Sequence, residues 1–397
     1  MLSFKEAQAK VLSQKFAARR GKLDIGLLPG LVLSRDIISP RDLPAADIAA
    51  VDGYALRAID SKGADRNYPI RLKACEGARG SQTNGGSGIE PGFCVSVSAG
   101  MAIPGGCDCV VSRESIESER RDILVYAECS SQSNIIRKGQ DTKKGDRLFC
   151  AGRQIYPQDI GVFAQIGVEQ AEVFLPPKVG LAALYGQEGQ KDHNLDACCM
   201  LAAMARDVKA ECSISRIHIN DGKKAAKTMA GLLDACDLVV VAGNQSVPGY
   251  DFLNDTMLGL DLDLGFWKVN QHPGRQMAFL AGKNKAAFCL GDRLDEILFC
   301  FELYIRPMIL NMMGNRDVFR KTVRGQARED IIHKKGKTLF LTVCLGSKKG
   351  SYTFSPTHPQ RALRSVRDAQ GIVVLPENKA GLKAGDLADI IMIKESG

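Results

Sequence analysis

From Lys178 to about Gly314, apolar runs of strand length alternate with amphipathic stretches of helix length, and nothing else in the chain constrains its fold as tightly. The spacing predicts strands over Val179 to Leu184, Ile214 to Ile219, Leu238 to Ala242, Phe266 to Val269 and Ala286 to Leu290. Helices are predicted over Asn194 to Lys209, Gly222 to Leu233 and Leu294 to Met313. Such alternation is the pattern of a three-layer α/β sheet. Sheets of this kind bind ligands beyond the carboxyl ends of their strands, where loops present backbone N–H groups and helix N-termini to anions. That rule selects four loops: Tyr185-Gly186-Gln187-Glu188, Gly243-Asn244-Gln245-Ser246, His272-Pro273-Gly274-Arg275 and Gly291-Asp292-Arg293. A glycine lets backbone approach a ligand and equally permits a plain tight turn, but a glycine in all four loops favours the first reading.

The flanks differ in character. Residues 1 to about 40 read as a helix followed by the extended segment Leu31 to Ile37. From 45 to about 140 the chain is rich in Gly and Ser with short β-like runs such as Cys94-Val95-Ser96-Val97, which reads as a small β domain inserted into the first. After about 320, Thr338 to Val343, Ile372 to Leu375 and Ile390 to Ile393 predict a small C-terminal β barrel or sheet. The expected division is therefore 1–44 with 141–177 as an elongated, discontinuous α+β domain, 45–140 as the inserted β domain, 178–318 as the α/β domain and 319–397 as the C-terminal β domain.

Composition removes several function classes. The thirteen cysteines lack CxxC spacing and lie mostly in apolar runs, as reduced core thiols do; Cys107-Asp108-Cys109 and Cys198-Cys199 have no partner ligands at structural-zinc spacing. The net charge of +8 is scattered and suits a small anionic substrate, with no aromatic-studded basic stripe for nucleic acid. The five histidines form no HExxH-type pair. The N-terminal residues show helical spacing rather than a secretory pattern, and runs such as Leu238 to Val241 are too short to span a bilayer. A cytoplasmic location is expected.

Six ordered motifs carry a resemblance. They begin with Asp52-Gly53-Tyr54-Ala55 and continue with Ala99-Gly100-Met101-Ala102-Ile103-Pro104-Gly105-Gly106-Cys107-Asp108-Cys109-Val110-Val111 and Asn134-Ile135-Ile136-Arg137-Lys138-Gly139-Gln140-Asp141. Gly186-Gln187-Glu188, Gly243-Asn244-Gln245-Ser246-Val247-Pro248-Gly249-Tyr250-Asp251 and Pro273-Gly274-Arg275-Gln276 complete the series. In order and rough spacing they resemble the DGYA, TGAxxPxGAdaVV, NxRxxGED, TGDE, GGxSxGxxD and PGKP motifs of the MoeA/gephyrin-E family, over essentially the whole chain. The resemblance implies a MogA/MoaB-like central domain and an enzyme of molybdenum cofactor biosynthesis. In such an enzyme adenylylated molybdopterin and molybdate meet with Mg²⁺, the metal enters the dithiolene and AMP is released. It implies Asp52, Asp141, Glu188 and Asp251 as the catalytic acids, with Asp141 and Glu188 on the metal. Substrate contacts are implied at Gly53, Tyr54, Gly100, Gly186, Gly243, Ser246, Lys268, His272, Gly274, Arg275, Gly291 and Asp292. A homodimer with a shared cleft is implied too, as is a partner in a MogA-like adenylyltransferase or a molybdoenzyme.

The departures from the family pattern are specific. Ala99 stands for a threonine, Ile48 and Ala49 for the asparagine and serine before DGYA, and Tyr185 and Gln187 for the threonine and aspartate of TGDE. Asn244 replaces the second glycine of GGxS, Leu290-Gly291-Asp292-Arg293 replaces PGNP, and His272 and Arg275 replace lysines. Two readings stay open: insertion with Arg275, His272 and Arg293 as alternative anion contacts, or a catalytically impaired paralogue that binds molybdopterin or the finished cofactor as a carrier, storage or regulatory module.

Overall fold

The α/β alternation becomes a six-stranded sheet in the computed structural model, which describes residues 1–75, 88–185, 193–218, 222–243, 261–348, 350–358 and 361–394. Its strand order is Glu211–His218, Lys178–Tyr185, Leu238–Ala242, Lys285–Leu290, Ala278–Gly282 and Asp263–Trp267. The first four are mutually parallel, because parallel neighbours need crossover connections and the helices His193–Asp207 and Gly222–Ala235 supply two of them. Leu238–Ala242 is buried at every residue, as a central strand covered on both faces must be.

The other two strands make the sheet mixed. Ala278–Gly282 and Lys285–Leu290 form a hairpin across Lys283-Asn284, with Asn284 at φ +61°, and Asp263–Trp267 adds antiparallel to its outer side. Sequence periodicity missed Ala278–Gly282, since two adjoining short apolar runs cannot be separated by period alone. The strand expected over Phe266 to Val269 begins at Asp263 and ends at Trp267, where Lys268 turns to φ +67° and leaves the ladder. The helix expected over Leu294 to Met313 is one rod in three parts, Leu294–Cys300, a π turn Phe301–Ile305, and Arg306–Met312.

The chain divides into two compact units. One comprises Met1–Arg35, Ala151–Ile160 and Gln170–Gly397 and contains the α/β sheet. It opens with the helix Phe4–Leu12, started by a reciprocal Ser3/Glu6 capping box. It ends in a closed barrel of Thr322–Ala327, Thr338–Lys348, Ser351–Pro356, Gly371–Leu375 and Leu387–Met392. Closure removes the exposed strand edges, and Val343, Phe354, Val373 and Ile390 fill the interior. The other unit, Asp36–Cys150 with Gly161–Glu169, holds a second six-stranded sheet around Leu56, Leu72, Cys94, Cys109, Val111 and Ile123.

All thirteen cysteines are free, and burial pushes the thiols of Cys107 and Cys198 up to about 12, so both are protonated at neutral pH. Among the described residues no helix is long and apolar enough to cross a membrane.

Candidate functional site

Strand direction decides where the four glycine loops fall. The parallel strands end together at Tyr185, His218, Ala242 and Leu290. Ala278–Gly282 runs the other way, so its first residue, opposite Cys289, delivers the His272 to Met277 segment to the same edge. Asp263–Trp267 runs with the parallel set and brings Lys268 there as well. Gly186, Glu188, Ser246 and Asp251 lie outside the described residues.

The described part of this edge is closely built. Gly243 takes φ +108° and donates its N–H to the Leu290 carbonyl at 3.2 Å. The Asn194 carboxamide packs on its Cα, so a side chain there would collide with Asn194. Asn194 Nδ2 donates to the Leu184 carbonyl, while its Oδ1 is buried without a partner among the described residues. Sequence reasoning did not select Asn194; the one available signal was an asparagine opening a helix beyond a glycine loop. Tyr185, in the family's threonine position, packs edge-on against His218 at 4.8 Å.

The cations at this edge are largely engaged. Lys268 holds its ammonium over the Trp267 ring, 3.9 Å from the centroid. Arg293 grips Asp295 through both arms of its guanidinium, at 3.2 and 2.7 Å, with Glu296 at 3.7 Å. Partial burial, then the charges of Lys337 and Arg293, push His272 below the ordinary imidazole value, so it is mostly neutral at pH 7. Arg275 is exposed and its carbonyl accepts the Val269 N–H at 3.0 Å. Gly274 sits at φ +80° in a turn that only glycine adopts freely, Gly291 is buried, and Asp292 is half-buried.

Asp52, Gly53, Tyr54 and Gly100 come together in the other unit. Gly53 lies in the strand Gly53–Leu56 between Phe93–Val97 and Cys109–Ser112, and a Cβ on it would run into the Val111 carbonyl. That close approach explains the glycine of DGYA. Asp52 is exposed, and its Oδ1 accepts the Ala99 N–H at 2.8 Å, tying DGYA to the Ala99-Gly100 turn. Gly100, at φ +85°, donates its N–H to the Ala49 carbonyl at 2.8 Å. Tyr54 packs half-buried against the core beneath. Asp141 stands exposed on the segment after Gly139, with its N–H donating to the Leu43 carbonyl at 3.1 Å. Nearby Asp42, not singled out from sequence, is held below the usual carboxylate range by the Lys144 N–H and by Lys138.

The magnesium implied by the resemblance needs several oxygen ligands. Among the described residues no three of His, Cys, Asp and Glu gather into a metal-holding group, and Glu188 is not described. The described carboxylates therefore make no magnesium site by themselves, and no step is derived through the ion.

An α/β sheet with glycine loops at its carboxyl edge, joined to a closed five-stranded barrel and accompanied by a separate β unit, defines a multidomain α/β and β protein. Residues 2–167 match the MoeA N-terminal region (domain I and II), and residues 324–393 match the MoeA C-terminal region (domain IV). The chain belongs to the MoeA family. It is 25% identical to the molybdopterin molybdenumtransferase of Staphylococcus aureus strain Mu50 over 398 residues, covering 98% of this chain and 94% of the relative. The molybdopterin molybdenumtransferase of Staphylococcus epidermidis is 23% identical, over 100% of this chain and 96% of that protein. The fold matches the solved molybdopterin biosynthesis MoeA protein of Pyrococcus horikosii with a TM-score of 0.81 at 21% identity, covering 100% of both chains.

Proposed function

We propose that this chain is a molybdopterin molybdenumtransferase of molybdenum cofactor biosynthesis, which inserts molybdate into adenylylated molybdopterin and releases AMP. The observation that carries the reading is the single sheet edge at which Gly243, Gly274, Arg275 and Gly291 meet, in a chain whose near-full-length relatives bear that name. The close backbone approach that glycines permit and the exposed Arg275 guanidinium suit the oxygens of phosphate and molybdate. Glu188, Asp251 and Ser246 belong to the same proposed site, as do Lys268, His272 and Asp292. Asp52, Gly53, Tyr54, Gly100 and Asp141 form the second half of the proposed machinery. Magnesium dependence, the four-part domain division, a homodimer with a shared cleft, partnership with an adenylyltransferase or a molybdoenzyme, and a cytoplasmic location are parts of this proposal.

The reading of a binding module without turnover is favoured by one specific observation: Lys268 and Arg293 spend their charge on Trp267 and Asp295. Incubating the purified chain with adenylylated molybdopterin, molybdate and Mg²⁺, and following AMP by chromatography, separates the two. AMP release at a rate comparable with an intact relative supports the enzyme. Tight retention of the pterin with no AMP would establish the module instead.

A further inference from the structure

The turn that carries Gly274 and Arg275 is held from behind by side chains that the proposed chemistry does not use. Gln271 is fully buried and engages both ends of its carboxamide. Its Nε2 donates to the Gly274 carbonyl at 3.0 Å, and its Oε1 accepts the Tyr304 hydroxyl. Tyr304 is also fully buried, and burial raises its phenol well above the ordinary value, so it remains a donor throughout the working pH range. From the other side, Glu296 accepts the Gly274 N–H, and the Cys300 sulfur lies 3.1 Å from where a Cβ on Gly274 would be. One residue of the turn thus has its donor, its acceptor and its α-carbon all held by the interior of the same unit.

The helix carrying Tyr304 is built unusually at that point. Tyr304 lies in the π turn Phe301–Ile305, inside a rod that is α-helical before and after it. A π turn is rare and, inside an α-helix, is frequently found at functional sites. Here Tyr304 meets Phe4 edge-on at 5.7 Å, and the Leu303 carbonyl accepts Gln8 Nε2 at 2.8 Å, so the first helix braces the distortion. A buried Tyr–Gln pair is a poor choice for stability alone, because an apolar pair of the same shape would avoid desolvating two polar groups.

We propose that Tyr304 and Gln271 are positioning residues that hold the His272–Arg275 turn in its oxyanion-binding shape before ligand arrives. Preorganisation of this kind removes the entropy of ordering the turn from the binding step. The functional half of the inference rests on the insertase reading above; the structural half does not.

The test uses the full chain with Y304F, Q271M and the double variant Y304F/Q271M. Each single variant orphans a buried polar group and lowers the melting temperature, whereas the double variant removes both partners of the Tyr–Gln bond, leaves only the Gly274 carbonyl without its donor, and recovers part of the loss. Amide hydrogen exchange at 272–277, and tryptic cleavage after Arg275, are expected to speed up in all three while exchange in Leu238–Ala242 stays at the parent rate. Q271E keeps the acceptor for Tyr304 and, once ionised, cannot donate to Gly274, so the turn should loosen as pH rises with the tyrosine contact retained. In AMP-release assays the double variant should raise the KM for molybdate about tenfold, with kcat changed much less. Parent-like exchange at 272–277 in the double variant, or equal acceleration in Leu238–Ala242, overturns the positioning role. Faster exchange with an unchanged KM overturns its functional half. A parent chain that releases no AMP refutes the insertase reading, and exchange still decides whether the pair positions the turn.

Discussion

At Gly53 the carbonyl of Val111 leaves room for hydrogen and nothing else, while at the sheet edge of the other unit Lys268, Arg293 and His272 are determined by what their side chains touch. The DGYA loop keeps the family pattern because backbone packing permits no other residue at its glycine. The sheet edge departs from it in sequence at Tyr185, Asn244, His272, Asp292 and Arg293. Backbone clearance at Gly53 admits one residue, whereas side chains at the sheet edge are placed by the partners they find. The four cationic or ionisable groups at the sheet edge differ in this respect. Lys268 has Trp267, Arg293 has Asp295, His272 is mostly neutral, and Arg275 alone among them stands exposed without a side-chain partner among the described residues.

The largest expected effect tests the first half of this contrast. Gly53→Ala should cost about 3 kcal/mol, since the new Cβ must displace backbone rather than a flexible side chain. Urea unfolding followed by circular dichroism reads it, and a parent-like midpoint would mean that clearance does not fix the motif. Asp295→Asn tests the other half by freeing the Arg293 charge. It should strengthen molybdate binding several-fold, read by emission from Trp267, the chain's single tryptophan, and lower stability by about 1 kcal/mol because Arg293 is half exposed. Unchanged affinity would mean that Arg293 is not withheld by Asp295.

A pH experiment sharpens the same comparison. Burial, followed by the Asp295 charge, raises the Glu296 carboxyl above its ordinary value of 4.5. The folded chain therefore holds this proton more tightly than the unfolded chain does. The resulting stabilisation is complete below 4.5 and is lost as pH rises through the raised folded value. Glu296→Gln should flatten that part of the melting-temperature profile above pH 4.5, where this proton is given up; an unaltered slope would assign it to another group. The smallest effect is expected at Asp52→Ala, which removes the acceptor for the exposed Ala99 N–H and should cost about 1 kcal/mol or less. If AMP release falls far more than stability does, Asp52 acts in the reaction as well as in the loop.

Much of the fold was legible in sequence. The five expected strands and three helices of the α/β region occur, and the β-rich C-terminal segment closes into a barrel. The added strand Ala278–Gly282 was hidden because its apolar run adjoins that of its hairpin partner. The π turn was hidden because one extra residue in a helical rod barely shifts its hydrophobic period. At the site, glycines were legible and their neighbours were not: Asn194 under Gly243 and Glu296 beside Gly274 come from other elements of the chain, and Gln271, three residues before Gly274, takes its role from its bond to the distant Tyr304.

By itself the sequence determined which segments form sheet and helix, that their loops carry glycine, and the family pattern they follow, because periodicity and turn chemistry are local properties. Only the tertiary structure decided that the hairpin's reversed strand brings the His272–Arg275 turn to the same edge as Gly243 and Gly291. It also decided which charges there are already paired, because partner distances depend on strand order and helix packing rather than on any one segment's composition.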